Sequence, residues 1–257
     1  MVDRVHSERT SHQKSAKASA WNSFCKPQIL KPIIIVNVFN LLQIVCGTYL
    51  VIFYAVNLIS DTNTDTDTVD PFLVAVLTAV CRLVFITAAS FLLFWVGRRP
   101  LAMFSGLGSS AAALSVGTFI YCRYPISETT DSWIVTGFIL AYVATNTIGF
   151  FVLPGIAIGE MLPVKVRGCF GGYIFAIFNI ALFFMGKVFP SMLNVIGSHG
   201  AFWMFGISSV LGTLFLYLFF PETKGKTLEE IEDYFAESNV MWINRKTHQS
   251  TNEPIKA

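Results

Sequence analysis

Few polar residues in this chain could do chemistry, and most of those lie within long apolar runs. Arg82 is the costliest, near the middle of the apolar stretch 71–95. An arginine at bilayer depth costs on the order of 2.5–3.5 kcal/mol on insertion scales. Two uses would offset that cost. It can turn into a helix bundle and lock two helices by donating to carbonyls or threonines, or it can face a cavity and contact an anionic or polyhydroxylated solute. A second group, Asn40, Gln43, Gly47, Tyr54 and Asn57, falls within an arc of about 100° when laid on a helix, with Val, Ile, Leu and Phe around most of the rest. Such a stripe lines water or a ligand, or else makes hydrogen bonds between helices worth about 0.6 kcal/mol each. Asn179 is a lone polar residue in another apolar run and fits either use.

Catalysis finds no comparable set, and none of these residues is expected to be catalytic. His6, His12, His199 and His248 all fall outside the apolar runs, so no Ser–His pair can form within them, and Gly206-Ile-Ser208-Ser209 reads as a chance match to a nucleophile turn. The runs contain no carboxylate pair, and metal-ligand spacing is missing, so neither a metal nor a cofactor is expected. The cysteines (Cys25, Cys46, Cys81, Cys122 and Cys169) are odd in number and scattered, as small apolar side chains in helices would be. A net charge of +2 with no basic stripe excludes a nucleic-acid partner.

The elements that must position these residues follow from composition. The 257 residues are 54% hydrophobic and only 13% charged, with 24 phenylalanines, about half the charge of an ordinary soluble domain. A bilayer core about 30 Å thick takes roughly 20 apolar residues to cross as a helix. Six stretches qualify: about 33–58, 71–95, 101–122, 132–159, 169–189 and 200–220. The alternating hydrophobicity of a membrane barrel is absent, so the chain is expected to be an all-α membrane protein with six transmembrane helices in the lipid bilayer. The expected divisions are a polar segment 1–28, a helix bundle 29–220, a motif with an amphipathic helix 221–243, and a disordered tail 244–257.

Lys and Arg set the orientation. The N-terminal segment, the 97–100 and 163–168 connections and the C-terminal segment hold most of the basic residues, whereas the connection 60–70 carries Asp61, Asp65, Asp67 and Asp70. Both termini are therefore expected in the cytoplasm. Small residues Ser105, Gly106, Gly108, Ser109 and Ser110, and Gly168, Gly171 and Gly172, are expected to let backbones approach. Pro154-Gly155 should break the fourth span beside protein or a cavity. Thr227-Leu-Glu-Glu230 has the spacing of a capping box, with Leu228, Ile231 and Phe235 on one face of the helix it opens.

Three segments lie at the basic ends of the spans: Gly97-Arg98-Arg99-Pro100-Leu101, Glu160-Met-Leu-Pro163-Val-Lys-Val-Arg167-Gly168 and Pro221-Glu222-Thr223-Lys224-Gly225-Lys226-Thr227-Leu228-Glu229-Glu230-Ile231. Together they resemble the sugar porter family of the major facilitator superfamily, and specifically one half, the second, of its twelve-helix fold. The run Gly200-Ala-Phe-Trp-Met-Phe205 adds a likeness to the facilitated trehalose transporters of insects. The resemblance implies a plasma-membrane transporter working by alternating access. Its solute would be a small molecule, a sugar such as trehalose or a hexose. Arg98, Arg99, Glu160, Arg167 and Glu222 would form an inner latch, and Asn40, Gln43, Tyr54, Asn179 and Arg82 would lie on the solute side. An N-terminal half or a second copy would be needed to complete a cavity.

Departures from the family pattern point to a degenerate sugar site. Ile44 and Tyr49 stand where the resemblance implies amides, Gly155 and Ile180 where it implies tryptophans, and Phe94 where it implies an aspartate. No carboxylate within a span is available for proton coupling, so facilitated diffusion is expected. The rival readings are a membrane sensor or regulatory partner of a full-length transporter that does not itself transport, or a truncated, inactive half.

Overall fold

A computed structural model describes residues 27–54, 71–123 and 129–236, and the findings below concern those residues. Asn57 lies outside them, as do the 60–70 connection and the expected C-terminal tail. Eight helices follow one another: α1 (Pro27–Val45), α2 (Leu50–Phe53), α3 (Pro71–Trp95), α4 (Arg98–Arg123), α5 (Thr129–Asn146), α6 (Leu153–Met161), α7 (Val164–Phe219) and α8 (Leu228–Ala236), with a π-helical segment Thr147–Phe151 between α5 and α6.

Five helical stretches are long and apolar enough to cross a membrane. The last, α7, has 56 residues, about 84 Å of helix at 1.5 Å per residue and nearly three times a bilayer core. It is broken at Gly197, with φ 69° and ψ 173°. Residues beyond the break run beside α4 in the opposite sense. Trp203 meets Gly117, Leu114 meets Gly206, Thr213 meets Gly106, and Arg99 meets Tyr217. Before the break, Phe178 reaches Tyr49 and Gly186 reaches Tyr54. The two parts therefore form a hairpin, and the apolar helices make six passes.

Helix α4 packs between α5 and the second part of α7 and against the π-helical segment. Lipid tails are as apolar as leucine, so association in a bilayer depends on close packing rather than on hydrophobicity. Small residues supply it here: a Cβ at Gly206 would lie 2.6 Å from Leu114, and one at Gly212 would lie 2.9 Å from Phe150. Gly106 and Gly108 pack in the same way, against Thr213 and Thr145. The expectation for the second group of glycines needs correcting. Gly171 lies against Ile158, but Gly168 and Gly172 face open space, because the first part of α7 stands at the edge of the bundle.

Two buried clusters fill the interior. At the basic end Phe39 meets Phe150 and Phe220 edge-on, with ring centroids at 5.7 and 6.0 Å. At the other end Phe205 stacks between Tyr142 and Phe189. Thr227 and Glu230 exchange hydrogen bonds of 3.0 and 3.3 Å that start α8. Ile231, Tyr234 and Phe235 then bury α8 against the beginning of α1. By contrast, α3 leaves Phe72, Val76, Leu83, Phe91, Phe94 and Trp95 exposed, and the first part of α7 leaves Tyr173, Phe175, Ile180, Phe183 and Phe184 exposed.

Candidate functional site

Two backbone irregularities face each other midway through the bundle. The first lies between α1 and α2, where Gly47 takes φ 82°, a conformation open to glycine at little cost. A Cβ there would also meet the Phe205 ring at 2.7 Å. The break interrupts the i→i−4 ladder and leaves carbonyls without backbone partners. Side chains from other helices serve them: the Tyr142 hydroxyl donates to the Cys46 carbonyl, and Arg82 Nη2 donates to the Thr48 carbonyl at 3.0 Å.

The second irregularity is the π segment Thr147–Phe151. Pro154, expected to break the span, instead sits in the first turn of α6, where its missing N–H costs little. The discontinuity is taken up upstream, and Ser105 of α4 stabilises it. Its Oγ accepts from the Gly149 and Phe150 N–H groups, each at 3.1 Å, and donates to the Thr145 carbonyl at 2.7 Å. Ser105 is thus more than a small residue that lets helices approach.

The two irregularities are tied to each other. Gln43 Nε2 donates to the Phe151 carbonyl at 3.3 Å, and the Tyr49 ring lies between those of Phe151 and Phe178, with centroids at 5.6 and 5.3 Å. The Arg82 guanidinium caps the Phe151 ring at 4.8 Å. Asn40 and Gln43 are both buried.

The expected single polar stripe is not continuous. The Gly47 break ends the helical projection that placed Tyr54 beside Asn40 and Gln43. Tyr54 instead reaches the first part of α7, where its hydroxyl donates to the Gly186 carbonyl at 2.7 Å. Asn179 lies nearby on an exposed face with its amide turned back to the Phe175 carbonyl at 2.7 Å, and the two residues share an open groove with Gly186 and Lys187. The polar residues named from the sequence therefore divide into an inner group, Asn40, Gln43 and Arg82, and an outer pair, Tyr54 and Asn179.

At the basic end, Arg98 and Glu160 join the start of α4 to the end of α6. Arg98 Nη2 and Nε reach the same carboxylate oxygen at 2.8 and 3.2 Å, while the other oxygen accepts from the Thr223 hydroxyl. The remaining charged groups act mainly on helix ends. Glu222 accepts from the Arg98 and Arg99 N–H groups at 3.0 and 3.1 Å, capping α4 where the dipole favours an anion. Its carboxylate occupies the space that a Cβ at Gly97 would need.

The basic side chains serve the opposite pole of other helices. Arg99 donates to the Tyr217 carbonyl in the last turn of α7 and lies over the Tyr217 ring. Lys224 Nζ donates to the Trp95 carbonyl, at the end of α3, at 2.6 Å. Arg167 reaches the Leu162 carbonyl, which closes α6, at 3.0 and 3.3 Å. Cations at helix C-termini are favourable for the same electrostatic reason. Spacing alone pointed to the charges but not to carbonyl capping; Tyr142 and Ser105 carried no signal beyond an aromatic and a small polar residue in an apolar run, and Thr223 and Lys224 stood in the Pro221–Ile231 motif without an assigned role.

Comparison with known proteins gives a consistent picture. Residues 2–235 match the model of the family described as sugar (and other) transporters. The facilitated trehalose transporter Tret1 of Aedes aegypti is 31% identical over 226 residues, covering 86% of this chain and 28% of that protein. Tret1 of Polypedilum vanderplanki is 31% identical over 232 residues, 90% of this chain and 45% of that protein. The structure of the proton:xylose symporter XylE bound to 6-bromo-6-deoxy-D-glucose aligns with a TM-score of 0.68 and 27% identity, over 79% of this chain and 42% of that one. Inward-open XylE from E. coli aligns at 0.67 with 25% identity, over 88% and 46%. The chain spans less than half the length of these relatives. Since the family match runs through all six passes, the chain belongs to the sugar (and other) transporter family, within the major facilitator superfamily.

Proposed function

We propose that this six-helix unit forms one wall of a solute passage in the plasma membrane, with both ends of the chain in the cytoplasm, and that it moves a sugar by alternating access. The facing irregularities at Gly47 and Thr147–Phe151 carry this reading. Non-helical backbone at bilayer depth is tolerated only beside protein or a water-lined cavity, and broken helices are where transporters hold their solutes. The trehalose and xylose named for the relatives support a sugar. The exposed apolar faces of α3 and of the first part of α7 fit a facing wall, supplied by an N-terminal half or by a second copy.

Asn40, Gln43 and Arg82 would lie on the solute side, with Tyr54 and Asn179 nearer the outer mouth. The Arg98–Glu160 pair, with Arg99, Arg167 and Glu222 on the adjoining helix ends, would form the inner latch. Partly exposed ion pairs are worth only about 0–1 kcal/mol, so they can open and close in each cycle. Uptake of labelled trehalose and glucose into proteoliposomes containing the protein tests the proposal. Saturable uptake, inhibited by excess unlabelled sugar, is expected, and uptake no faster than in empty liposomes would overturn it.

One observation favours a second reading, a binding partner or sensor that does not transport. The Gln43 amide and the Tyr49 ring are already engaged by Phe151 and Phe178, which leaves fewer groups for a sugar. Sugar binding without flux would select this reading.

A further inference from the structure

An open groove of about 460 Å³ lies along the half of α4 away from the Arg98–Glu160 pair, lined by Leu114, Ser115, Thr118, Phe119 and Cys122 of α4 and Phe138 of α5. None of these residues belongs to α1, α2, α3 or the first part of α7, on which the proposed passage depends. Ser115, Thr118 and Cys122 are exposed and, at i, i+3 and i+7, form a shallow floor along one face of α4. The Phe119 and Phe138 rings, with centroids 6.1 Å apart, stand on one side. Leu114 and the Trp203 indole stand on the other. The indole N–H donates to the Thr118 hydroxyl at 3.3 Å, and the Tyr121 ring packs on the indole.

A polar rim closes one end of the groove. Arg123 follows Cys122, and Asp131 precedes Phe138 by two turns of α5, about 11 Å along the same face. Arg123 Nη1 and Asp131 Oδ2 are 3.8 Å apart, with side chains 59% and 10% exposed. That separation is too long for a direct hydrogen bond. A hydroxyl between them can accept from the guanidinium and donate to the carboxylate, and because the pair is neutral overall it favours an uncharged group over an ionic headgroup. The walls and floor favour a rigid body: a flat fused-ring system loses little conformational freedom on docking, whereas acyl chains must be ordered. We infer that this groove binds a sterol, with its rings on the α4 floor and its hydroxyl between Arg123 and Asp131. Val116, Tyr121 and Arg123 also have the spacing of a sterol-contact pattern that is weak by itself. Val116 is buried and Tyr121 rests on Trp203, so of the three it is Arg123 that stands at the groove.

A photoreactive cholesterol analogue with its ring hydroxyl intact tests the inference on the whole chain in phosphatidylcholine proteoliposomes, with labelled peptides read by mass spectrometry. Saturable labelling of the facing parts of α4 and α5 is expected, and excess cholesterol should displace it. Epicholesterol, which differs only in the orientation of that hydroxyl, should compete about tenfold less well, the worth of one hydrogen bond to a charged group. Arg123→Gln should weaken cholesterol by a similar factor and erase the distinction between the epimers. Ser115→Trp, which fills the floor from an exposed position, should abolish labelling there. Equal competition by the two epimers in the unaltered chain, or undiminished labelling in Ser115→Trp, would overturn the inference. So would efficient oxidative cross-linking of Cys122 to Cys122, which would assign the groove to a second copy of the chain. Because labelling is read without flux, failure here leaves the sugar-transport reading to its own uptake assay.

Discussion

Arg98 and Glu160 are 62 residues apart in sequence, and their side chains meet at 2.8 Å with 22% and 27% exposure. Glu160 also takes the Thr223 hydroxyl, so one carboxylate joins the start of α4, the end of α6 and the segment after α7. A double-mutant cycle with Arg98→Ala and Glu160→Ala, read by thermal unfolding in detergent, should give a coupling of about 1 kcal/mol, as for a partly exposed pair held in good geometry. Additive single effects would show that the contact contributes nothing measurable.

Gly47 is constrained twice, by a φ of 82° and by the Phe205 ring 2.7 Å from where a Cβ would stand. Gly47→Ala should therefore destabilise by about 1–3 kcal/mol from backbone strain alone, with steric conflict added. Phe205→Ala in the same chain removes the conflict and leaves the strain. The double variant should recover part of the loss attributable to Gly47→Ala when compared with Phe205→Ala alone. Full recovery in melting temperature would show that the backbone conformation carries no cost.

How much of this was legible beforehand depends on which physical constraint acted. Span length is imposed by the bilayer, so the six apolar stretches could be located from composition, and the hairpin at Gly197 falls in the short connection between the last two. The Thr227–Glu230 capping pair is local, set by a three-residue spacing, and was equally readable. The Gly47 break was not. Cys46-Gly47-Thr48 contains no proline, and a glycine in an apolar helix usually marks packing. Pro154 drew attention to the right span, yet the irregularity falls at Thr147–Phe151, because a proline fits the first turn of a new helix and the π segment finds Ser105 as a partner. Glu222 and Arg167 were legible as charges, but their partners are backbone groups on helix ends, and no spacing rule records those.

The Ser105 hydroxyl accepts from both the Gly149 and Phe150 N–H groups, each at 3.1 Å. Ser105→Ala should cost on the order of 1–3 kcal/mol, since it removes these two bonds and the one the serine donates to the Thr145 carbonyl. Amide hydrogen exchange should quicken at residues 147–151 more than in α4 itself. Unchanged protection in the π segment would show that it holds without the serine.

Phe235 anchors α8 in the buried cluster at the start of α1, while Thr227 only starts the helix. Loss of the cap should cost about 1 kcal/mol, and loss of a buried phenylalanine about 3–5 kcal/mol. Thr227→Ala is therefore expected to leave α8 docked but frayed, and Phe235→Ala to release it. Hydrogen exchange over 228–236 separates the two: partial protection in the first variant and none in the second. Equal protection in both would mean that α8 is held by something other than this packing.

Restoring the groups implied by the family likeness tests the proposed sugar site and its expected degeneracy. Gly155 is exposed and a Cβ there meets nothing within 4 Å, so Gly155→Trp can be accommodated by local space. Tyr49 is different. It is wedged between Phe151 and Phe178, so Tyr49→Asn exchanges two ring contacts for an amide and opens a hole beside Arg82. An amide supplies both a donor and an acceptor to a sugar, and an indole supplies an apolar face. The pair of changes should therefore raise trehalose or glucose uptake even while lowering the melting temperature. Gly155→Trp alone should raise uptake less and leave the melting temperature nearly unchanged. If uptake stays flat in the double variant while the protein remains folded, the site is not limited by the missing amide and indole, and the solute is not a sugar recognised in that way.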